Sequence, residues 1–202
     1  MNRSVQVAER NGMMAPSAVE TGLRGAGVVL AGSALVAVCA HVSIPLWFTP
    51  VPVTLQPFAV VLLGLMLSPR LAFATMVAYL AEGAAGLPVF TPHGLGGVAQ
   101  LLGPTGGYLL SYPVVAPLIA TMWRRSSRSF SRGSVMAGAG SLVTLAMGAT
   151  WLGIWQHMTP GMLMGEAVLP FLPGDVLKVV AAAGIAAGAE RWKKHRDSEL
   201  AG

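Results

Sequence analysis

Six stretches of this sequence contain almost no charged residue, and this pattern constrains the fold more than any other feature. They cover residues 26–44, 55–67, 71–90, 104–123, 134–153 and 167–189. Continuous apolar runs of about 20 residues are typical of helices that cross a lipid bilayer. Charged residues make up 10% of the chain, whereas ordinary soluble domains carry about a quarter. The sequence therefore predicts an all-α membrane protein with a bundle of six transmembrane helices.

The second stretch, 55–67, is shorter than a perpendicular helix needs, and four prolines lie in or just before it, at 45, 50, 52 and 57. Because proline interrupts a continuous helix, we expect a tilted helix or a loop that re-enters the protein.

The positions of the basic residues predict the orientation of the chain. Of the 13 Lys and Arg residues, 12 lie near the two ends or in the connections after the second and fourth apolar stretches. The alternate connections, 45–54, 91–103 and 154–166, contain none. Basic residues stay on the cytoplasmic side, so both termini are expected in the cytoplasm. We divide the chain into an N-terminal cytoplasmic tail (1–25), a transmembrane substrate-binding domain (26–190) and a basic cytoplasmic C-terminal tail (191–202).

Lys178 is the thirteenth basic residue, and the positive-inside rule does not explain it, because it lies near the outer end of the last stretch. Asp175 precedes it by three positions, which places both side chains on one face of a helix. Ionisable groups within a membrane span are costly and mark functional sites, so we interpret the pair as a binding site. Lys178 would receive a ligand carboxylate, and Asp175 would accept ligand N–H groups. Alternatively, Asp175 caps the helix and Lys178 only neutralises it.

The external connections carry uncharged polar and aromatic residues that suit a mostly apolar pocket for a small heterocyclic ligand. The candidates for ligand contact are Trp47, Gln56, Thr91, His93 and Tyr108. Aromatic residues at these positions are equally typical of the belt at the membrane interface, and for Trp47 both interpretations stand.

Other functions find little support in the sequence. The glycine-rich segment 103–108 lacks the Gly-Lys-Ser/Thr of a nucleotide-binding loop, and the four histidines lack metal-ligand spacing. No Ser-His or Asp-Asp set indicates an enzyme, and the basic residues follow topology rather than nucleic acid. A self-sufficient secondary transporter for a small carboxylated nutrient stays open, with Glu82 as either a proton site or a cap at the edge of the bundle.

Six short blocks occur in a distinctive order along the chain, at residues 43–46, 49–56, 68–71, 86–90, 103–109 and 174–178. Among them are Thr-Pro-Val-Pro-Val-Thr-Leu-Gln, Gly-Pro-Thr-Gly-Gly-Tyr-Leu and Gly-Asp-x-x-Lys. Together they resemble the BioY family of biotin transporters.

The resemblance implies the substrate-binding S component of an energy-coupling factor (ECF) transporter in a prokaryotic inner membrane. Biotin would be the transported ligand, without any cofactor, and the partners would be a transmembrane coupling subunit and ATPase subunits. The first external loop would act as a lid over biotin, and the acid and lysine of the family match Asp175 and Lys178. The family also has a polar contact before the glycine-rich block, where Thr91 or His93 would replace an asparagine.

Overall fold

The computed structural model describes residues 18–200, and their side chains from residue 22 onward. Each of the six apolar stretches contains a helix. The long helices are α1 (Ala18–His41), α2 (Gln56–Met66), α3 (Pro69–Ala84), α5 (Gly106–Arg124), α6 (Phe130–Trp155) and α8 (Leu172–Glu199). Among the described residues, α1, α6 and α8 are long and apolar enough to cross a membrane. The prediction of a mostly helical membrane protein is confirmed.

The segment between α1 and α2 is an antiparallel hairpin. Strand β1 (Ser43–Ile44) pairs with β2 (Val53–Thr54), with Ser43 opposite Thr54 and Ile44 opposite Val53. The prolines between the strands prevent a helix, as the sequence predicted, because each removes a backbone N–H donor and fixes φ. The hairpin leads directly into α2.

Helix α2 is central to the bundle although it has only 11 residues. It packs against α1, α3, α5, α6 and α8. At 1.5 Å per residue its length is roughly 16 Å, about half the thickness of the hydrocarbon core. Most of its residues are buried, from Gln56 at its start to Leu65 near its end. The short second stretch is therefore a core element, and the hairpin immediately precedes its N-terminal end.

Several boundaries differ from the sequence-based ones. Helix α3 ends at Ala84 rather than near residue 90, because Gly86 adopts a left-handed φ of 92° and begins a loop that reaches Gly96. This loop leads into the short helix α4 (Gly97–Leu102). Before α8, a helical turn α7 (Pro160–Leu163) continues into a π-helix (Met164–Val168). Helix α8 runs on through the predicted C-terminal tail to Glu199, and α1 begins within the predicted N-terminal tail. Residues 1–17 of that tail lie outside the described residues.

The core has two clusters of buried apolar side chains. The larger surrounds α2, α3 and α5 and includes Val60, Met76 and Ile119. The smaller lies where the hairpin, α5, α6 and the segment before α8 meet, and it includes Tyr108, Leu152 and Phe171. A cavity lies beside this second cluster.

Candidate functional site

The cavity lies at the end of the bundle where α5 and α8 begin and the second half of α6 passes. Its volume is about 50 Å³, so the cavity is narrow in the ligand-free structure. Its apolar and aromatic wall is formed by Val51, Phe90, Tyr108, Leu109, Tyr112, Leu145 and Phe171. Its polar groups are contributed by Thr54, Gln56, Thr91, Gln100, Thr105, Thr144, Asp175 and Lys178. Most of the surface that faces the cavity is nevertheless apolar, which is typical of a ligand site.

Asp175 and Lys178 form a buried ion pair in the wall of this cavity. Lys178 Nζ lies 3.0 Å from Asp175 Oδ1, and the two side chains are only 10% and 9% exposed. The prediction that they share one helix face is confirmed. A buried charge is stable only when it is paired and hydrogen-bonded, and Asp175 meets this condition with a second donor, Ser141 Oγ, 2.9 Å from Oδ2.

Asp175 lies in the first turn of α8, and its two carboxylate oxygens accept from side chains rather than from the backbone N–H groups of that turn. The capping alternative therefore does not describe its contacts. Its partners are Lys178 on the same helix and Ser141 on α6. Pairing with Lys178 fits both a structural and a binding role. Both residues also line the cavity, which favours the binding role.

Tyr108 forms part of the aromatic wall at the start of α5. Its hydroxyl donates to the Ala167 carbonyl oxygen at 2.9 Å, and its ring centre lies 6.1 Å from that of Phe171. These contacts connect α5 to the π-helix and to the residues that lead into α8. The ring position is consequently tied to the helix that carries the ion pair.

Gln56 begins α2 and places its amide beside the cavity. Its Nε2 donates to the Tyr79 hydroxyl at 2.6 Å, and Tyr79 in turn donates to the Val89 carbonyl oxygen at 3.1 Å. Its Oε1 accepts from Thr54 Oγ1 at 3.1 Å. The hairpin, α2, α3 and the loop after α3 are joined by this chain of hydrogen bonds, which orders the cavity wall.

Thr91 contributes an unpaired hydroxyl. Its Oγ1 is buried and has no hydrogen-bond partner within the described part of the chain, and Thr91 borders the cavity. Its neighbour Gln100 is already engaged, because Nε2 donates to Thr105 Oγ1 at 2.6 Å. A buried unpaired hydroxyl is costly unless a ligand or water completes it. The Thr91 hydroxyl is therefore a buried polar group at the edge of the cavity that lacks a partner within the described residues.

Five of the seven residues predicted from sequence line the cavity, namely Asp175, Lys178, Thr91, Gln56 and Tyr108. His93 lies in an adjoining space that shares Pro52, Thr91, Gln100 and Thr105 with the cavity.

Trp47 lies outside both spaces. The residue is 94% exposed, and its ring packs edge-on against Phe48, with ring centres 5.3 Å apart. The sequence order of the hairpin loop does not reveal which residues turn inward, and here Val51 and Pro52 do so instead.

Glu82 is not among the residues that line the cavity. It accepts a hydrogen bond from Ser33, which joins α3 to α1. This contact gives the carboxylate an interhelical structural role within the described residues.

Sequence reasoning missed Ser141, Thr144, Tyr112 and Phe171. A spacing signal existed for two of them, since Ser141 and Thr144 are three residues apart in an otherwise apolar and small-residue run. The same spacing also occurs in helices that pack without a ligand, so it does not identify a site unaided.

The fold and the cavity define a class, a helical membrane protein with a largely apolar cavity whose wall carries a buried ion pair. The chain belongs to the BioY family, which its sequence matches over residues 11–195.

Relatives extend across most of the chain. A protein of Pyrococcus horikoshii, named probable biotin transporter BioY, is 40% identical over 153 residues, which cover 76% of this chain and 88% of that protein. The biotin transporter BioY of Thermotoga maritima is 36% identical over 156 residues, with the same coverage of 76% and 88%. A crystal structure of the S-component for biotin from an ECF-type ABC transporter matches with a TM-score of 0.78 at 25% identity. The match covers 88% of this chain and 95% of that one.

Proposed function

We propose that this chain is the biotin-binding S component of an ECF-type transporter. It captures biotin at the outer face of a prokaryotic inner membrane for import driven by a coupling subunit and ATPase subunits. The named relatives and the solved S-component support this class and this substrate. The observation that carries the proposal is the buried Asp175–Lys178 ion pair in the wall of a mostly apolar cavity.

The chemistry of biotin complements this cavity. Biotin has a carboxylate at the end of an aliphatic chain, a ureido group with two N–H donors, and an apolar sulfur-containing ring. Lys178 binds the carboxylate, and Asp175 accepts a ureido N–H. The aromatic and aliphatic wall contacts the ring and the chain. Charge-assisted hydrogen bonds in a site shielded from water are stronger than neutral ones, which supports capture from dilute solution.

The ion pair must open for both ends of biotin to be bound. Asp175 Oδ1 and Lys178 Nζ lie 3.0 Å apart, closer than the two polar ends of an extended biotin molecule. The lysine stem is flexible, so its ammonium group can turn from Asp175 to the ligand carboxylate while the ureido group replaces it. Lys178 stays paired with a carboxylate throughout this exchange, and the Asp175 carboxylate keeps hydrogen-bond donors in the ureido group and in Ser141 Oγ.

The remaining predicted residues have separate roles in this proposal. The Thr91 hydroxyl bonds to a polar atom of the ligand, because it is buried and has no partner among the described residues. Gln56 and Tyr108 shape the wall. His93 contacts the ligand from the adjoining outer space, and Trp47 does so only when the hairpin loop folds over the cavity.

The proposed topology has six transmembrane helices with both termini in the cytoplasm. The distribution of Lys and Arg supports it, since the three connections on the cavity side contain none. The cavity then opens toward the outside, and energy for transport comes from the ATPase partners. The chain itself catalyses no reaction in this scheme.

Titration calorimetry with purified protein tests the proposal. Asp175→Asn and Lys178→Ala are each expected to weaken biotin binding roughly tenfold or more, because each removes a charged partner. Asp197→Asn and Lys193→Ala are matched controls, since both residues are exposed on the same helix, and they should leave affinity unchanged. Biotin methyl ester lacks the carboxylate charge, so it should bind weakly to the unaltered protein. Its affinity should fall little further in Lys178→Ala.

If biotin affinity is unchanged in both site variants, Asp175 and Lys178 do not bind biotin. Uptake into vesicles provides a separate check, because an S component should need its ATPase partners for accumulation. ATP-independent accumulation against a gradient would instead favour a secondary transporter.

A further inference from the structure

Ser141 lies in the middle of α6, and its hydroxyl is directed across the bundle toward α8. The residue is 6% exposed, and its Oγ donates to Asp175 Oδ2 at 2.9 Å. The other oxygen of the carboxylate, Oδ1, accepts from Lys178 Nζ at 3.0 Å. Each oxygen of Asp175 thus has one donor, and the two donors come from different helices.

The contact with Lys178 does not fix the position of Asp175 relative to the rest of the cavity, because both residues belong to α8. The bond from Ser141 does so, since it connects positions 34 apart in the sequence. One turn further along α6, Thr144 and Leu145 line the cavity. Residues three and four apart share a helix face, so Ser141 aligns the carboxylate with this wall.

We propose that Ser141 is a positioning residue for biotin recognition and acts through Asp175. The inference rests on the proposed function and deepens it. Ser141 does not line the cavity and is not itself expected to touch the ligand. Its role is to direct the Asp175 carboxylate so that its free lone pairs meet the ureido N–H groups.

The contribution of Ser141 is larger in the bound state than in the empty one. In the empty site, Asp175 has two donors, Lys178 and Ser141. Once the ligand carboxylate takes the ammonium group of Lys178, Ser141 is the remaining side-chain donor to Asp175 within residues 18–200. Hydrogen bonds to charged groups are stronger than neutral ones, and they depend strongly on orientation. Removal of this hydroxyl should therefore lower affinity more than it lowers the stability of the ligand-free protein.

A double-mutant cycle on the full chain in detergent tests the inference. Ser141→Ala should weaken biotin binding roughly tenfold in the otherwise native protein. In the Asp175→Asn background it should weaken binding less than about threefold, because only a neutral hydrogen bond is lost. Ser134→Ala is the matched control on the same helix, since Ser134 is half-buried and its hydroxyl donates only to the Phe130 carbonyl oxygen of its own helix.

Equal losses of affinity in the two backgrounds would overturn the inference, because they would indicate a general packing role for Ser141. So would a large fall in the melting temperature of ligand-free Ser141→Ala together with unchanged affinity. If the alanine variant does not fold, Ser141→Cys keeps the volume but weakens the donor, and the same cycle applies.

The two proposals fail in different ways. If Asp175→Asn itself leaves biotin affinity unchanged, the proposed site is wrong. If Asp175→Asn weakens binding but Ser141→Ala does not, only the role of Ser141 is wrong.

Discussion

The ring of Tyr108 packs directly on Gly148, so closely that a Cβ atom at position 148 would overlap ring carbons. Tyr108 also donates a hydrogen bond to the Ala167 carbonyl oxygen at 2.9 Å. The absence of a side chain on α6 therefore allows an aromatic residue of α5 to reach the segment before α8. One wall of the cavity depends on this contact.

Gly148→Ala is expected to displace the Tyr108 ring and weaken biotin binding by about tenfold. Overpacking of a buried site also costs about 1–3 kcal/mol of stability. Gly138→Ala is the control on the same helix, because a Cβ there meets no atom within 4 Å. Affinity and unfolding temperature should both be measured. If the two variants have the same affinity and the same unfolding temperature, the position of the Tyr108 ring does not depend on the absence of a side chain at Gly148.

Tyr79→Phe is expected to destabilise the ligand-free protein by about 1–3 kcal/mol, because the Gln56 amide and the Val89 carbonyl oxygen both lose a buried partner. Tyr112→Phe is a suitable comparison. Tyr112 is equally buried, yet its hydroxyl makes no hydrogen bond within the described residues. The unfolding temperature in detergent without biotin should fall for the first variant and stay nearly constant for the second. The opposite order would contradict the importance of the Gln56–Tyr79 contact.

The topology predicts which connections are accessible from each side of the membrane. Cys39 is the only cysteine and is buried, so Cys39→Ala provides a background for single cysteines. Ser127→Cys should react with an impermeant thiol reagent only in inverted vesicles, and Gln156→Cys only in right-side-out vesicles. Both positions are exposed and lie in connections that flank α6. Labelling of both from one side would contradict the crossing of the membrane by α6.

Part of the candidate site was predictable because it is local in sequence. Asp175 and Lys178 are three residues apart, and helix geometry alone brings their side chains together, as the 3.0 Å ion pair confirms. Gln56, Thr91 and Tyr108 were predicted as ligand contacts from their place in or beside the external connections, and all three line the cavity. That prediction remains to be tested with ligand.

Other features depend on the orientation of each segment, which the sequence does not state. Trp47 was an attractive candidate, but the hairpin directs Val51 and Pro52 inward and leaves Trp47 exposed. Glu82 was open to two interpretations, and its contact is with Ser33 on another helix. In both cases, packing with distant segments sets the direction of the backbone, and this direction decides where the side chain lies.

The sequence by itself determined that this protein is helical and lies in a membrane, because long uncharged runs can satisfy their backbone in lipid only as helices. It also determined the pairing of Asp175 with Lys178, which needs only one helical turn. The tertiary structure alone decided that Ser141 meets Asp175, that Gln56 meets Tyr79, and that Gly148 receives the Tyr108 ring. The physical reason is that these helices are apolar around much of their circumference. Without a clear polar face, their rotation about the axis is fixed only when they pack together.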